Sequence, residues 1–171
     1  MATKTTKTNE NPEIMEVEQA EQKAAVNVLD LLLGSDVGDI KLPTKEVEIT
    51  RLSEIFGKPF ILTCQALSPD KYEEVQDMAL SVSGKDVDLD VSQLQLFTVL
   101  EGVMGADGKP LFKSADLRTK YKVPTPKDVV RKILLSGEIT AVYTEIAKLS
   151  GFGDGAVIEV KNLLNRMGLL R

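Results

Sequence analysis

Four places in this chain bring together residue types that could do chemistry. Gly151-Phe152-Gly153-Asp154-Gly155 has the close glycine spacing that lets backbone N–H groups approach a phosphate. It follows a helical pattern instead of a strand, and no Lys-Ser/Thr pair completes a phosphate loop, so helix-capping glycines are the better reading. Asp86, Asp88 and Asp90 alternate like the first ligands of a calcium loop, but Val91 stands where that loop needs glycine and Phe97 where it needs a bidentate glutamate. A solvated turn in which Asp90 caps a helix, with Gln93 at the third position, is favoured over a metal site. Cys64 is the only cysteine; it cannot form an internal disulfide, and Leu62 and Ala66 at strand spacing beside it suggest a small buried hydrophobe. From Lys109 to Lys132 there are eight bases and two acids. That composition suits nucleic acid, but Phe112 and Tyr121 are its only stacking aromatics and no RNA- or DNA-binding motif accompanies them. A solvated face, an acidic partner, or the acidic stretch 66–108, with nine acids and two bases, fits better.

Histidine is absent. Ser-His-Asp and Cys-His catalysis, imidazole metal sites and the usual proton shuttle at neutral pH are therefore unavailable. The remaining carboxylates are scattered as solubilising charges would be. The residues read as a non-enzyme, with no catalytic, metal or cofactor-binding residue assigned and no cofactor called for. A net charge of -5 gives no general attraction to nucleic acid or anionic membrane. No window approaches about 18 uninterrupted apolar residues, and residues 1–12 lack the apolar stretch of a signal peptide. A soluble, non-secreted protein is expected.

The elements that would position these residues begin after a Thr/Lys-rich tail, 1–10, expected to be disordered. Residues 11–34 read as an N-terminal helix, about 12 to 33, that Gly34 stops. Its second half is apolar over most of its girth, with Lys23, Asn27 and Asp30 forming a narrow polar stripe. Such a helix must be buried by something, either by ordinary core packing or by a partner. A Gly/Pro-containing linker, 35–44, separates it from the body, 45–171.

The body is expected to open with a β-hairpin. Val47 and Ile49 share one face of a strand, Phe60, Leu62, Cys64 and Ala66 share one face of the next, and Ser53–Pro59 supplies the turn. Ser68-Pro69-Asp70 starts a helix reaching to about Gly84, with Tyr72, Val75, Met78, Ala79 and Val82 on one face. Asp90 starts another, carrying a buried stripe of Val91, Leu94, Phe97 and Leu100. Gly102–Pro110 is a turn-rich break, and a short helix runs from Ser114 to Tyr121. Thr125-Pro126 caps a helix with Val129, Val130, Ile133 and Leu134 inward. Ser136 caps the next, whose stripe is Ile139, Val142, Tyr143, Ile146 and Leu149 and whose stop is Gly151. Asp154 caps a last helix with Val157, Val160, Leu164 and Met167 inward and Gly168 as its stop. The fold class is α+β, predominantly α-helical: a small β-hairpin, a bundle of about five helices, and a separate N-terminal helix.

VEITRLSEIFGKPFILTCQALSPDKYEEV, then LFTVLEGV, then VPTPKDVVRKILLSGEITAVYTEIAKLSGF and finally IEVKN together resemble the XkdN-like phage tail assembly chaperones, over roughly residues 45 to 164. The most specific pieces are Thr125-Pro126, the junction Leu134-Leu135-Ser136-Gly137-Glu138-Ile139, Leu149-Ser150-Gly151-Phe152, and Lys161-Asn162. The resemblance implies a phage or prophage accessory protein made in the bacterial host cytoplasm and absent from the mature virion. It implies two partners, the tape measure protein, kept soluble, and the tail tube protein, recruited around it; it implies no reaction. Self-association is compatible with this role, and a membrane partner is not expected. Apolar helical faces of such a client need complementary apolar surface, for which Leu29, Leu32 and Leu33, with Leu163, Leu164, Met167 and Leu170, are the candidates. The rival readings are a structural tail subunit and a nucleic-acid-binding accessory protein using the 109–132 basic run.

Overall fold

The computed structural model describes residues 28–34, 41–83 and 86–157. The tail, the first part of the expected N-terminal helix, residues 35–40 of the expected linker, and the last expected helix, with Val160, Leu163, Leu164, Met167 and Leu170, lie outside the described residues. The chain divides into two units, Met1–Lys41 and Leu42–Arg171. In the first, helix α1 spans Val28–Gly34.

The second unit is mixed α+β and mostly helical. Strand β1, Thr44–Glu48, pairs antiparallel with β2, Ile61–Gln65, with Val47 opposite Leu62. Leu62, Cys64 and Ala66 are buried, as their alternation demands. The connection between the strands corrects the expected hairpin. Residues 50–56 form helix α2, Thr50–Phe56, and Gly57 is its left-handed terminus, at φ 64°, instead of part of a hairpin turn. The Gly57 and Lys58 N–H groups close the last turn on Glu54 and Ser53. Leu52, Ile55 and Phe56 already carry the i, i+3, i+4 spacing of a helix.

Helix α3, Pro69–Ala79, begins where Ser68 accepts from the Lys71 N–H and proline occupies the first turn. It buries Val75 and Ala79 but leaves Met78 exposed. The chain does not stay helical to Gly84: β3, Leu80–Ser83, pairs with β4, Asp86–Leu89, in a separate two-stranded sheet. The Val/Ser alternation of this segment favours strand once a partner is within reach. The Asp86–Leu89 segment is thus a strand, where a turn was expected, and Asp90 caps the next helix by accepting from the Gln93 N–H at 3.0 Å.

That helix, α4, Val91–Gly102, is the centre of the unit. Val91 is exposed, and burial begins at Leu94 and extends around all sides near the C-terminus, taking in Leu96, Thr98, Val99, Leu100, Glu101 and Gly102. The buried Glu101 carboxylate is neutralised by Lys113. Strand β5, Val103–Met104, follows directly and pairs with β2, so the expected turn-rich break starts as the third strand, in the order β1-β2-β5. A 3-10 turn, Leu111–Lys113, buries Phe112. Helices α5, Ala115–Tyr121, α6, Pro126–Ile133, and α7, Ser136–Ala147, complete the layer. Val129, Val130, Leu134, Val142 and Ile146 join the core, with Ile139, Tyr143 and Leu149 packed at its margin.

Gly102 fixes how closely α4 and α7 approach. A Cβ there would lie 2.8 and 2.9 Å from Ile146 side-chain carbons and 3.2 Å from the Gln65 carbonyl oxygen. Gly102→Ala is therefore expected to destabilise the protein by about 1–3 kcal/mol through overpacking. Trimming the facing side chain with Ile146→Val should recover part of that loss, seen in urea unfolding midpoints of the single and double variants. Equal losses with and without the trimmed partner would show that the contact is not limiting.

Candidate functional site

Several polar residues of the distinctive sequence pieces act as fasteners in this fold. At the junction of α6 and α7, the Arg51 guanidinium grips the Glu138 carboxylate through two bonds of 2.8 Å and donates a third, of 2.9 Å, to the Ile133 carbonyl. Glu138 also accepts from the Leu135 N–H at 2.8 Å, so it caps α7 while bonding α2. The cap position is Leu135, not the expected Ser136, and Glu138 reaching back does the capping work. The bond from Arg51 outweighs partial burial and holds the Glu138 carboxyl below its ordinary value.

The other pieces behave alike. Thr125 stands at the cap position of α6, but its hydroxyl donates to the Asp128 carboxylate instead of capping a backbone N–H. Ser150 Oγ accepts from the Leu67 N–H at 2.9 Å and donates to the Ile146 carbonyl at 2.7 Å, tying the end of α7 to the exit of β2. The turn Lys148–Phe152 is wound wider than an α-helix and closes on Gly151 at φ 93°, the conformation expected of a terminating glycine. Phe152 then packs on Tyr72, with ring centroids 4.9 Å apart. Lys161-Asn162 lies outside the described residues.

Compared with known proteins, the chain matches the Phage XkdN-like tail assembly chaperone protein (TAC) family over residues 29–162. The chain belongs to that family. Among solved structures it is similar to the crystal structure of the protein yqbn, at 22% identity and a TM-score of 0.52, covering 67% of this chain and 89% of that one. That likeness concerns the fold. A comparison with curated proteins finds no match.

Membership of a tail assembly chaperone family implies interaction with tail proteins, which directs attention to exposed apolar side chains. Leu29, Leu32 and Leu33 on α1 are 65%, 53% and 75% exposed, whereas Leu163, Leu164, Met167 and Leu170 lie outside the described residues. Sequence reading overlooked a second apolar place, on the larger unit. Ile55 and Phe56 are exposed on α2, and the Phe56 ring stacks on Phe60 at 5.7 Å and 17°. The helical spacing of Leu52, Ile55 and Phe56 was the available signal. A groove of about 400 Å³ lined by Leu42, Ala66, Leu67 and Met104 has Lys71 and Lys113 beside it, but both cations already have carboxylate partners in Glu74 and Glu101.

Several of the remaining candidates for chemistry are occupied structurally. Cys64 is buried, and burial pushes its thiol up to about 11, so it stays neutral at physiological pH. Within the basic run, Lys113 serves Glu101, Lys127 lies 6.0 Å from the Phe97 ring centroid, and Arg131 stands 3.9 Å from Asp128. Among the described residues no group of His, Cys, Asp or Glu is arranged to hold a metal ion, and no helix is long and apolar enough to cross a membrane.

The Arg51–Glu138 fastener has a pH signature. Because the folded Glu138 carboxyl titrates below its ordinary 4.5, its contribution is complete above that value and is lost as pH falls through the lowered one. Arg51→Met should therefore lower the urea midpoint at pH 7 and lower it less at an acid pH below the lowered carboxyl value. A deficit of the same size at both pH values would rule out an ionic contribution.

Proposed function

We propose that this chain is the chaperone of a phage or prophage tape measure protein, holding that protein soluble and helping to recruit tail tube subunits around it. It works in the bacterial host cytoplasm and leaves before the virion is complete. Family membership supports the chaperone role, and the observation that carries the client reading is the exposed leucine set on α1. A long helical protein awaiting assembly exposes apolar faces, and covering them requires apolar surface on a carrier that is itself kept soluble by charge. Leu29, Leu32 and Leu33 offer such surface, with the Ile55/Phe56 face of α2 as a further contact. Leu163, Leu164, Met167 and Leu170 are proposed to contribute as well. The action is binding alone: no reaction, cofactor or metal is invoked, and neither nucleic acid nor membrane is a partner. Self-association through the same apolar residues would compete with client binding.

Co-expression with the tape measure protein of the same phage tests this. Leu29→Asp/Leu33→Asp should leave the far-UV circular dichroism of the chaperone unchanged while the tape measure protein shifts to the insoluble fraction and no longer co-purifies. Unchanged solubility and co-purification would sink the α1 assignment, and stoichiometric presence of the chain in purified virions would replace the chaperone reading with that of a structural subunit.

A further inference from the structure

Strand β1 is an edge: in the order β1-β2-β5 it has a neighbour on one side only. Its register fixes which backbone groups that neighbour uses. The Ile49 N–H donates to the Phe60 carbonyl at 3.0 Å and the Ala66 N–H to the Pro43 carbonyl at 2.9 Å, so by alternation Lys45 and Val47 also bond across to β2. The N–H and C=O groups of Thr44, Glu46 and Glu48 therefore point away from β2, and among the described residues none bonds them. Such a row is satisfied by water or by another extended chain.

The side chains specify which chain fits. Val47 stands opposite Leu62 and packs at the margin of the core, so it is on the inner face, and alternation puts Thr44, Glu46 and Glu48 on the outer face, where all three are exposed. Neither Glu46 nor Glu48 forms an ion pair with any described lysine or arginine. The strand's own cation, Lys45, is on the inner face and is held by Glu145. A strand added along β1 brings its outer side chains to about 5 Å from the two carboxylates. Basic side chains are attracted there and acidic ones repelled. A second copy fits poorly: two-fold pairing along the whole strand sets Glu46 against Glu46, and the neighbouring registers that keep the faces set Glu46 against Glu48 or Lys45 against Lys45. The charges that keep this edge from pairing with itself make it selective for a complementary strand.

We infer that β1 takes up an extended segment of a partner tail protein as an added antiparallel strand, with lysine or arginine opposite Glu46 and Glu48 and an apolar residue opposite Val47. Antiparallel is the sense of both existing pairings in this sheet. The residue opposite Glu46 then exchanges both backbone hydrogen bonds with it, while the apolar residue covers the half-buried Val47. Naming the partner as a tail protein rests on the chaperone reading; the open edge and its charge do not.

The full-length chain is titrated into fluorescein-labelled synthetic peptides of about seven residues, one alternating lysine with valine, the other glutamate with valine, and anisotropy is read. The lysine peptide should bind at least about tenfold more tightly, and Glu46→Lys/Glu48→Lys should reverse the preference. If circular dichroism shows that pair misfolded, Glu46→Lys alone, which removes no described side-chain hydrogen bond, should narrow it. N-methylation of the peptide at its lysine amides, which face β1 in this pairing, should weaken binding by about tenfold or more, whereas methylation at its valine amides, which face away, should change it by less than about twofold. No binding of the lysine peptide, equal binding of the two peptides, an unchanged preference in a folded Glu46→Lys variant, or equal effects of the two methylations would overturn the inference. Because no probe is a tail protein, these outcomes judge the β1 edge alone, while the chaperone reading stands or falls on co-purification with the tape measure protein.

Discussion

The C-terminal half of α4 is buried on nearly every side, and a helix of that kind has no stable position except inside other elements. Sheet β1-β2-β5, α3, α6 and α7 surround it, and much of the chain's topology follows from that enclosure. The close approach of α7 is possible because residue 102 lacks a side chain, which lets Ile146 lie against the helix backbone. The direct step from α4 into β5 places the third strand on β2. The buried carboxylate of Glu101 is tolerated only because the 3-10 turn that buries Phe112 also delivers Lys113 to it. Helix, strand and turn are thus parts of one packing solution.

Around this centre the polar groups act as fasteners between elements distant in sequence. Arg51 and Glu138 join α2 to the α6–α7 junction, Ser150 joins the end of α7 to Leu67, and Lys45 joins β1 to Glu145. Lys45 and Lys148 together lower the Glu145 carboxyl from its usual value. Two of these fasteners, Glu138 and Ser150, fall within the distinctive sequence pieces. The fasteners specify the scaffold. The apolar side chains left in solvent lie on α1, on α2 and on the β3–β4 hairpin.

Much of the scaffold was legible in the sequence because its signals are local. The serine and aspartate at positions 68 and 90, the prolines at 69 and 126, and the glycine at 151 each act through their own φ angle or through a backbone group a few residues away. The i, i+3, i+4 stripes of α6 and α7 likewise report one face of one helix. Where reading failed, the deciding contact lay elsewhere. Gly57 has the same backbone conformation whether it ends a helix or turns a hairpin, and Leu80–Ser83 is as compatible with a helix extension as with a strand. The candidate surface was less legible than the scaffold: leucines 29, 32 and 33 stood out by density alone, while Ile55 and Phe56 could not be distinguished from core residues, since hydrophobicity does not say which side of a helix the fold leaves uncovered.

By itself the sequence determined a histidine-free, acidic, mostly helical protein, several of its helix starts and stops, its buried cysteine and its family. These follow from composition and from interactions within one turn of chain. The tertiary structure alone decided that α2 interrupts the first strand pair, that Leu80 to Leu89 fold into a hairpin, that Glu138 serves Arg51 as well as its own helix, and which apolar side chains remain in water. Each of those outcomes depends on a partner tens of residues away or on the enclosure of α4, and neither pairing nor enclosure is encoded in any single stretch of residues.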